Sequence, residues 1–350
     1  MTVELFGEGL SSFIAQACLL RQGIGARIVA DAAKTAGPRP ILVLNTLGQT
    51  LLAEIFPDID WSQQGYRLQQ REVLWGYDPR PSRILEPALV LRQESLGDVL
   101  RTAARRWDGT ARGDAAEWCV NPPDQDDAGW LRGGDRVVVA APVTLATRPN
   151  PPRTVMESLS GGWLHLAPTG PDHAVVQVML AKPPDAPEAA LRDALAQSVL
   201  IGPAIAELSS PSVFPAAAAI RLPAIDPPQL AMGSRVIRFD PVSGEGAPLA
   251  IQGAILAAAV IGQGGGAGAC LHYTHRLVSS FLAHLEGCLR FYRDAFSDDP
   301  GWRDEIAQMQ GLSATLAAEY RQLLERPYRY HLEGVVLNPI NDNAAVFSER

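Results

Sequence analysis

Residues 2–31 read TVELFGEGLSSFIAQACLLRQGIGARIVAD. Val3 to Phe6 predicts a short strand, and Gly7-Glu8-Gly9-Leu10-Ser11-Ser12 is a GxGxxS turn. Phe13, Ala17 and Leu20 share one face of a helix that ends at Gly23, and Ala26 to Ala30 forms a second strand. Strand, glycine turn, helix and strand in this order predict a parallel βαβ unit and so the α/β class. The glycines let backbone approach a ligand closely, at a helix N-terminus whose unpaired N–H groups and positive dipole end suit a pyrophosphate. Ser12 stands where the fingerprint has its third glycine, a small-for-small change that keeps helix and strand close. Asp31 closes the second strand, where an acidic residue accepts from ribose hydroxyls. The plainer reading is a βα turn that holds no ligand.

A second glycine turn lies in RVIRFDPVSGEGAPLAIQGAILAAAVI, residues 235–261. Asp240, Pro241, Gly244 and Gly246 are turn chemistry, and an Ala/Ile/Leu run with helical spacing follows at once. The apolar part, Ala247 to Ile261, is too short to span a bilayer.

The totals narrow the classes. A chain of 350 residues buries a large core, as one large domain or two intimate ones. Hydrophobic content of 47% and charged content of 19% describe an ordinary globule. A formal charge of −8 argues against nucleic acid as partner, because phosphate binding needs clustered positive charge. Cys18, Cys119, Cys270 and Cys288 are scattered without a CxxC pair, which predicts reduced thiols and neither a disulfide framework nor a zinc site. With no leader pattern and no membrane span, the expected location is cytoplasmic.

The segment GSRVIRFDPVSGEGAPLAIQGAILAA, residues 233–258, resembles the second FAD motif of flavoprotein monooxygenases of the p-hydroxybenzoate hydroxylase type. Within them it is most similar to the tryptophan-halogenase-like branch, whose motif runs GDA, a few residues, then DPxxGxG and a helix. Other pieces resemble the family in order. LRQESLGDVLRTAARR (91–106) places Arg92 before a helix, and GDRVVVAAPV (134–143) resembles the strand that returns to the nucleotide domain. GGWLHLAPTGPDHAVVQVML (161–180) resembles a strand pair of the substrate domain, and SSFLAHLEGCLRFYRDAF (279–296) the aromatic C-terminal helix.

The resemblance implies a Rossmann-type FAD-binding domain (glutathione-reductase-like) with an inserted substrate domain built on a β-sheet and a helical C-terminal tail. It implies FAD as cofactor, held by Gly7, Gly9, Ser11, Ser12, Asp31, Arg92, Ser234, Asp240, Pro241, Gly244, Glu245 and Gly246. In the family the second turn wraps the ribityl chain and ring, and the helix N-terminus points at the flavin pyrimidine edge. The implied activity is hydroxylation of an aromatic, indole- or tryptophan-type substrate through a flavin C4a-hydroperoxide. The substrate would be an aromatic small molecule or a Trp within a partner protein, with electrons from NAD(P)H or a separate flavin reductase.

Three departures separate the chain from the family. The Gly-Asp pair is Gly233-Ser234, so the carboxylate that holds the ribityl hydroxyls is replaced by a weaker partner. The Asp-Gly pair after the third strand is missing from VVVAAPVT, which weakens the implication of pyridine nucleotide. The halogenases' Trp-x-Trp-x-Ile-Pro motif is absent, and Lys34 lies on the wrong element for their lysine, which argues against halogenation. Two alternatives stay open: an FAD-dependent reductase or dehydrogenase, and a degenerate relative acting as a binding or assembly partner without turnover.

The expected organisation is an FAD domain from residues 1–40, 85–155 and 226–268, a substrate domain from 41–84 and 156–225, and a helical region from 269–350. His165, His173 and Tyr77 are candidate acid–base groups of the substrate pocket, and Trp75 and Trp163 candidate stacking groups set against a plainer core role. His272 and His275 form an HxxH pair without a third ligand, read as helix packing. Phe281, Leu285, Leu289 and Tyr292 recur at helical spacing and read as a packing stripe.

Overall fold

The structure is a computed structural model that describes residues 1–30, 41–104, 117–122, 129–327 and 329–340. The chain opens with β1 (Thr2–Phe6), α1 (Leu10–Arg21) and β2 (Gly25–Val29). β3 (Ile41–Asn45), α2 (Thr46–Ile55), β4 (Tyr66–Leu74), β5 (Ser82–Arg92) and α3 (Gln93–Ala104) follow. Next come the short β6 (Trp118–Val120) and β7 (Trp130–Arg132), then the longer β8 (Val137–Leu145), β9 (Arg153–Leu159), β10 (Gly162–Pro168) and β11 (His173–Leu180). After α4 (Pro187–Gln197) the strands are short: β12 (Ile205–Leu208), β13 (Ser212–Pro215), β14 (Ala219–Arg221), β15 (Ile225–Asp226), β16 (Gln229–Leu230) and β17 (Ile237–Arg238). The helices α5 (Gly246–Gly262), α6 (Ala267–Phe296), α7 (Pro300–Glu319) and α8 (Arg321–Leu324) lead to a hairpin of β18 (Tyr330–Glu333) and β19 (Val336–Pro339).

The βαβ unit forms as its sequence predicts. β1 pairs with β2 in parallel, from Thr2↔Gly25 to Phe6↔Val29, and the five-stranded sheet runs β15-β16-β6-β1-β2. α1 is apolar all round, with every residue from Ser12 to Leu19 buried, because the sheet covers one side and α5 the other. Small residues, Ala15 and Ala17 on α1 and Ala254, Ala257 and Ala258 on α5, let the two helices come close.

The second layer is a nine-stranded sheet ordered β12-β8-β11-β10-β9-β4-β5-β3, with β13 also paired to β8. Its two faces belong to different clusters. Val139, Val143, Leu164, Val176 and Val178 pack under α4. Ala140, Met156, Trp163, Ala167 and Val175 point the other way, into the cluster that contains α5 and α6.

Two expectations are corrected here. GDRVVVAAPV does not return to the nucleotide sheet: β8 pairs with β11 from His173↔Thr144 to Leu180↔Val137, and the nucleotide sheet takes β6 instead. An uninterrupted apolar strand suits any position buried on both faces, so its composition does not say which sheet it joins. The expected boundaries at 85 and 155 accordingly cut β5 and β9, both members of the large sheet. The C-terminal region is not helical throughout, since β18 and β19 form an antiparallel hairpin.

Among the described residues no helix is long and apolar enough to cross a membrane. The four cysteines are free thiols.

Candidate functional site

The segment that leads into the second glycine turn packs against the first. Gly7 takes φ +92° and donates to the Val29 carbonyl at 2.9 Å, a conformation that disfavours side chains. Gly9 caps α1 without any side-chain hydrogen bond, and a Cβ placed on Gly7 or Gly9 would meet nothing within 4 Å. The start of α1 is therefore open in front of its N–H groups. Gly233 (φ +59°) lies against this turn, so close that a Cβ there would stand 2.5 Å from Ser11 Oγ. Ser234 follows with its side chain exposed. Ser12, also read as a cofactor ligand, is buried at 3% exposure within the packing of α1.

Asp240 is enclosed, contrary to its reading as a cofactor ligand. Its Oδ2 accepts from Arg136 Nε at 3.0 Å, and its Oδ1 accepts from Tyr292 Oη at 2.6 Å and from the Val242 amide at 3.0 Å. Its own amide donates to His284 Nε2 at 2.8 Å. Arg136 also donates to Glu305 at 2.7 Å. Asp240 thus builds the turn Pro241–Ser243 from inside and has no free face for a ligand. Burial pushes the Tyr292 phenol well up, helped by the Asp240 charge, and burial holds His284 down to about 4. The proton of Tyr292 therefore stays on the phenol, where it donates to the carboxylate.

The residues after the turn face outward. Gly244 (φ +70°) and Glu245 are exposed, and α5 begins with no side-chain cap and no acid in its first turn. Neither α1 nor α5 has a side-chain cap at its N-terminus. Pro241 and Gly246 are half-buried beside them.

Arg92 is exposed and reaches Thr169 Oγ1 at 3.5 Å, beyond the end of β10. From that segment it is Arg101 that reaches the first turn, donating to Glu8 at 2.8 Å and to Asp98 at 2.6 Å. Asp31 lies outside the described residues. Of the three candidate acid–base groups, only His165 lies on the sheet face that joins the main core. His173 is exposed, and Tyr77 is 75% exposed with its hydroxyl on Asp298 at 2.9 Å, which raises the phenol pKa. His165 lies on the inner face of the large sheet; burial holds it down to about 4, with the Arg71 charge in the same direction. Arg71, on β4, rests its Nη2 3.1 Å from where a Cβ on Gly244 would stand. Neither Arg71 nor Arg136 carried a sequence signal beyond being a charge inside a strand pattern. Tyr292 was legible only as a member of the α6 stripe, which is buried as expected.

Trp75 and Trp163 meet edge to face at 6.1 Å, and Trp75 also touches Phe291 and Phe296. They close the core beside the sheet face. His272 and His275 are buried along α6. Among the described residues no cluster of three or more His, Cys, Asp or Glu could hold a metal.

No family model and no curated protein matches the chain. Solved structures do match. The peptidyl tryptophan dihydroxylase QhpG, essential for tryptophylquinone cofactor biogenesis, is 17% identical with a TM-score of 0.72, over 97% of this chain and 86% of that one. The flavin-dependent halogenase CmlS is 14% identical with a TM-score of 0.77, over 98% and 87%. HpxO of Klebsiella pneumoniae, solved with FAD and uric acid, is 13% identical with a TM-score of 0.64, over 93% and 97%. Over nearly its whole length the chain has the Rossmann-type α/β fold of the FAD-dependent hydroxylases and halogenases.

Proposed function

We propose that the protein is an FAD-dependent monooxygenase that hydroxylates an aromatic substrate. The observation that carries this reading is a pair of helix starts without side-chain caps, α1 and α5, with Gly233, just ahead of the second turn, set against Ser11 of the first. The residues present fit FAD. Gly7, Gly9 and Ser11 would hold the pyrophosphate at the start of α1. The Ser234 hydroxyl would take the ribityl chain, and Pro241 with Gly244 to Gly246 would lie at the pyrimidine edge. The open space in front of Gly7 and Gly9 is what a diphosphate needs.

Reduced FAD would supply, from O₂, the oxygen atom that is transferred, with electrons from NAD(P)H or a separate reductase. The protein's own residues do the rest. The N-terminus of α5 stabilises negative charge beside it. Met156, Ala167 and Val175 line the facing sheet and exclude water. His165, neutral across the physiological range, holds its ring in place through a hydrogen bond with Gln177 and offers a nitrogen that can accept a substrate proton. QhpG is by its name a peptidyl tryptophan dihydroxylase, and HpxO is solved with uric acid bound; an indole or tryptophan-type ring is the substrate class proposed here.

The test is the visible spectrum of the purified protein, before and after denaturation, followed by oxygen uptake with a chemical reductant and candidate indoles. Flavin bands at one per chain, FAD on release and substrate-dependent oxygen uptake support the reading. FAD without oxygen use would point to a reductase. A colourless protein that takes up no FAD would leave a binding or assembly role, which the Ser234 departure favours.

A further inference from the structure

The second turn rests on a histidine whose tautomer the backbone fixes. His284, on α6, is buried, and Phe239 meets its ring edge to face at 5.0 Å. Two donors converge on its Nε2: the Asp240 amide at 2.8 Å and the Cys288 thiol, with its sulfur at 3.4 Å. Burial keeps the thiol protonated and the imidazole neutral. A ring nitrogen that accepts carries no hydrogen, so the one proton of the neutral ring sits on Nδ1.

That nitrogen faces Ser243 Oγ at 3.4 Å, and the Glu245 amide donates to the same oxygen at 3.2 Å. A hydroxyl oxygen has two lone pairs and one proton to give. One lone pair of Ser243 takes the His284 proton and the other takes the Glu245 amide. What is left is the O–H, as a donor. Among the described residues no acceptor takes it. With the opposite tautomer, Nδ1 would itself be an acceptor and would claim that proton.

Ser243 is half-buried at the end of the turn Pro241–Ser243, where the chain passes to the exposed Gly244 and Glu245. Glu245, the carboxylate at the N-cap of α5, is an acceptor, so on this turn the side-chain donor is Ser243. Building on the FAD reading, we propose that Ser243 donates a hydrogen bond to an acceptor atom on the pyrimidine edge of the flavin, and that His284 is the positioning residue that reserves the proton for it. Uptake of two electrons and one proton leaves a negative charge on that edge. The bond therefore strengthens on reduction and raises the midpoint potential of the bound flavin. His284 acts through Ser243 alone.

The experiment measures that potential in the FAD-loaded protein by stepwise reduction with dithionite beside a reference dye. Ser243→Ala is expected to weaken the preference for reduced over oxidised FAD about tenfold, which lowers the potential by about 30 mV. Ser243→Thr keeps the hydroxyl and retains the potential. His284→Gln offers an amide oxygen to the Asp240 N–H and no proton to Ser243, so alone it loses part of the 30 mV, and it loses nothing further once Ser243 is Ala. Nitrogen-15 NMR of the His284 ring in flavin-free protein reads the tautomer separately, and an Nδ1-protonated ring is expected. An Nε2-protonated ring, an unchanged potential in Ser243→Ala, or strictly additive losses in the double variant overturns the proposal and leaves the FAD reading intact. A protein that takes up no FAD overturns both.

Discussion

Arg136 and Asp240 form an ion pair at 3.0 Å with neither side chain exposed to solvent. The pair ties the second glycine turn to the start of β8, and through Glu305 and Tyr292 to α7 and α6. Removing one partner of such a pair leaves a charge buried without compensation, at a cost of about 3–5 kcal/mol. Arg136→Met, which leaves both Asp240 and Glu305 unpaired, is expected to lose that much in urea unfolding. A loss below about 1 kcal/mol would show that water replaces the guanidinium.

The contact between Ser11 and Gly233 makes a separate prediction. Alanine at 233 must hold a positive φ, which costs about 1–3 kcal/mol, and its methyl must push Ser11 Oγ away. Gly233→Ala is expected to weaken FAD binding more than it weakens the fold, because the shift opens the junction of the two turns. Ser11→Ala in the same chain recovers part of the loss, since the nearest atom is then gone while the backbone strain remains. FAD titrations of the two single variants and the double variant measure this coupling; strictly additive effects would argue against it.

What the sequence revealed followed the range of the interaction. The βαβ unit was legible because strand, glycine turn and helix are neighbours in the chain. Asp240 was misread for the opposite reason. An Asp-Pro turn looks the same whether its carboxylate faces a ligand or a buried arginine, and Arg136 is 104 residues away. β8 was assigned to the wrong sheet because a strand apolar on both faces does not name its neighbours. Arg92 and Arg101 flank one helix segment, and only the helix rotation decides that Arg101 reaches Glu8. Arg71 stands between Gln70 and Glu72 in a polar stretch of β4, so nothing in its sequence sets it apart from a surface arginine.

Stability should fall as the pH drops from about 6.5 towards 4. Burial holds His165, His272 and His284 each down to about 4 in the folded chain, against an ordinary value of 6.5. Between these values the unfolded chain takes up protons that the folded chain refuses, so the balance shifts towards unfolding. For His284 the gap corresponds to about 3 kcal/mol, reached near pH 4 and absent above pH 7. Glu305, raised by burial, works in the opposite direction. Urea midpoints at pH 7, 6, 5 and 4.5 test this. His284→Gln should flatten the profile, and an unchanged slope in that variant would place the proton uptake elsewhere.

Ser234→Asp asks whether the departure at the second turn limits the cofactor. The Ser234 side chain is exposed beside Gly233, which lies against Ser11 of the first turn, so an added carboxylate needs no room made for it. Two positive helix ends close by favour its ionised form. A carboxylate accepts hydrogen bonds from ribityl hydroxyls about twice as strongly as a serine oxygen does. The variant is expected to bind FAD about tenfold more tightly, the gain between a neutral and a charge-assisted hydrogen bond. Quenching of FAD fluorescence on titration reads the change directly. Unchanged or weaker binding would mean that the ribityl chain does not pass Ser234, and that the face between the two helices holds its ligand in a different orientation.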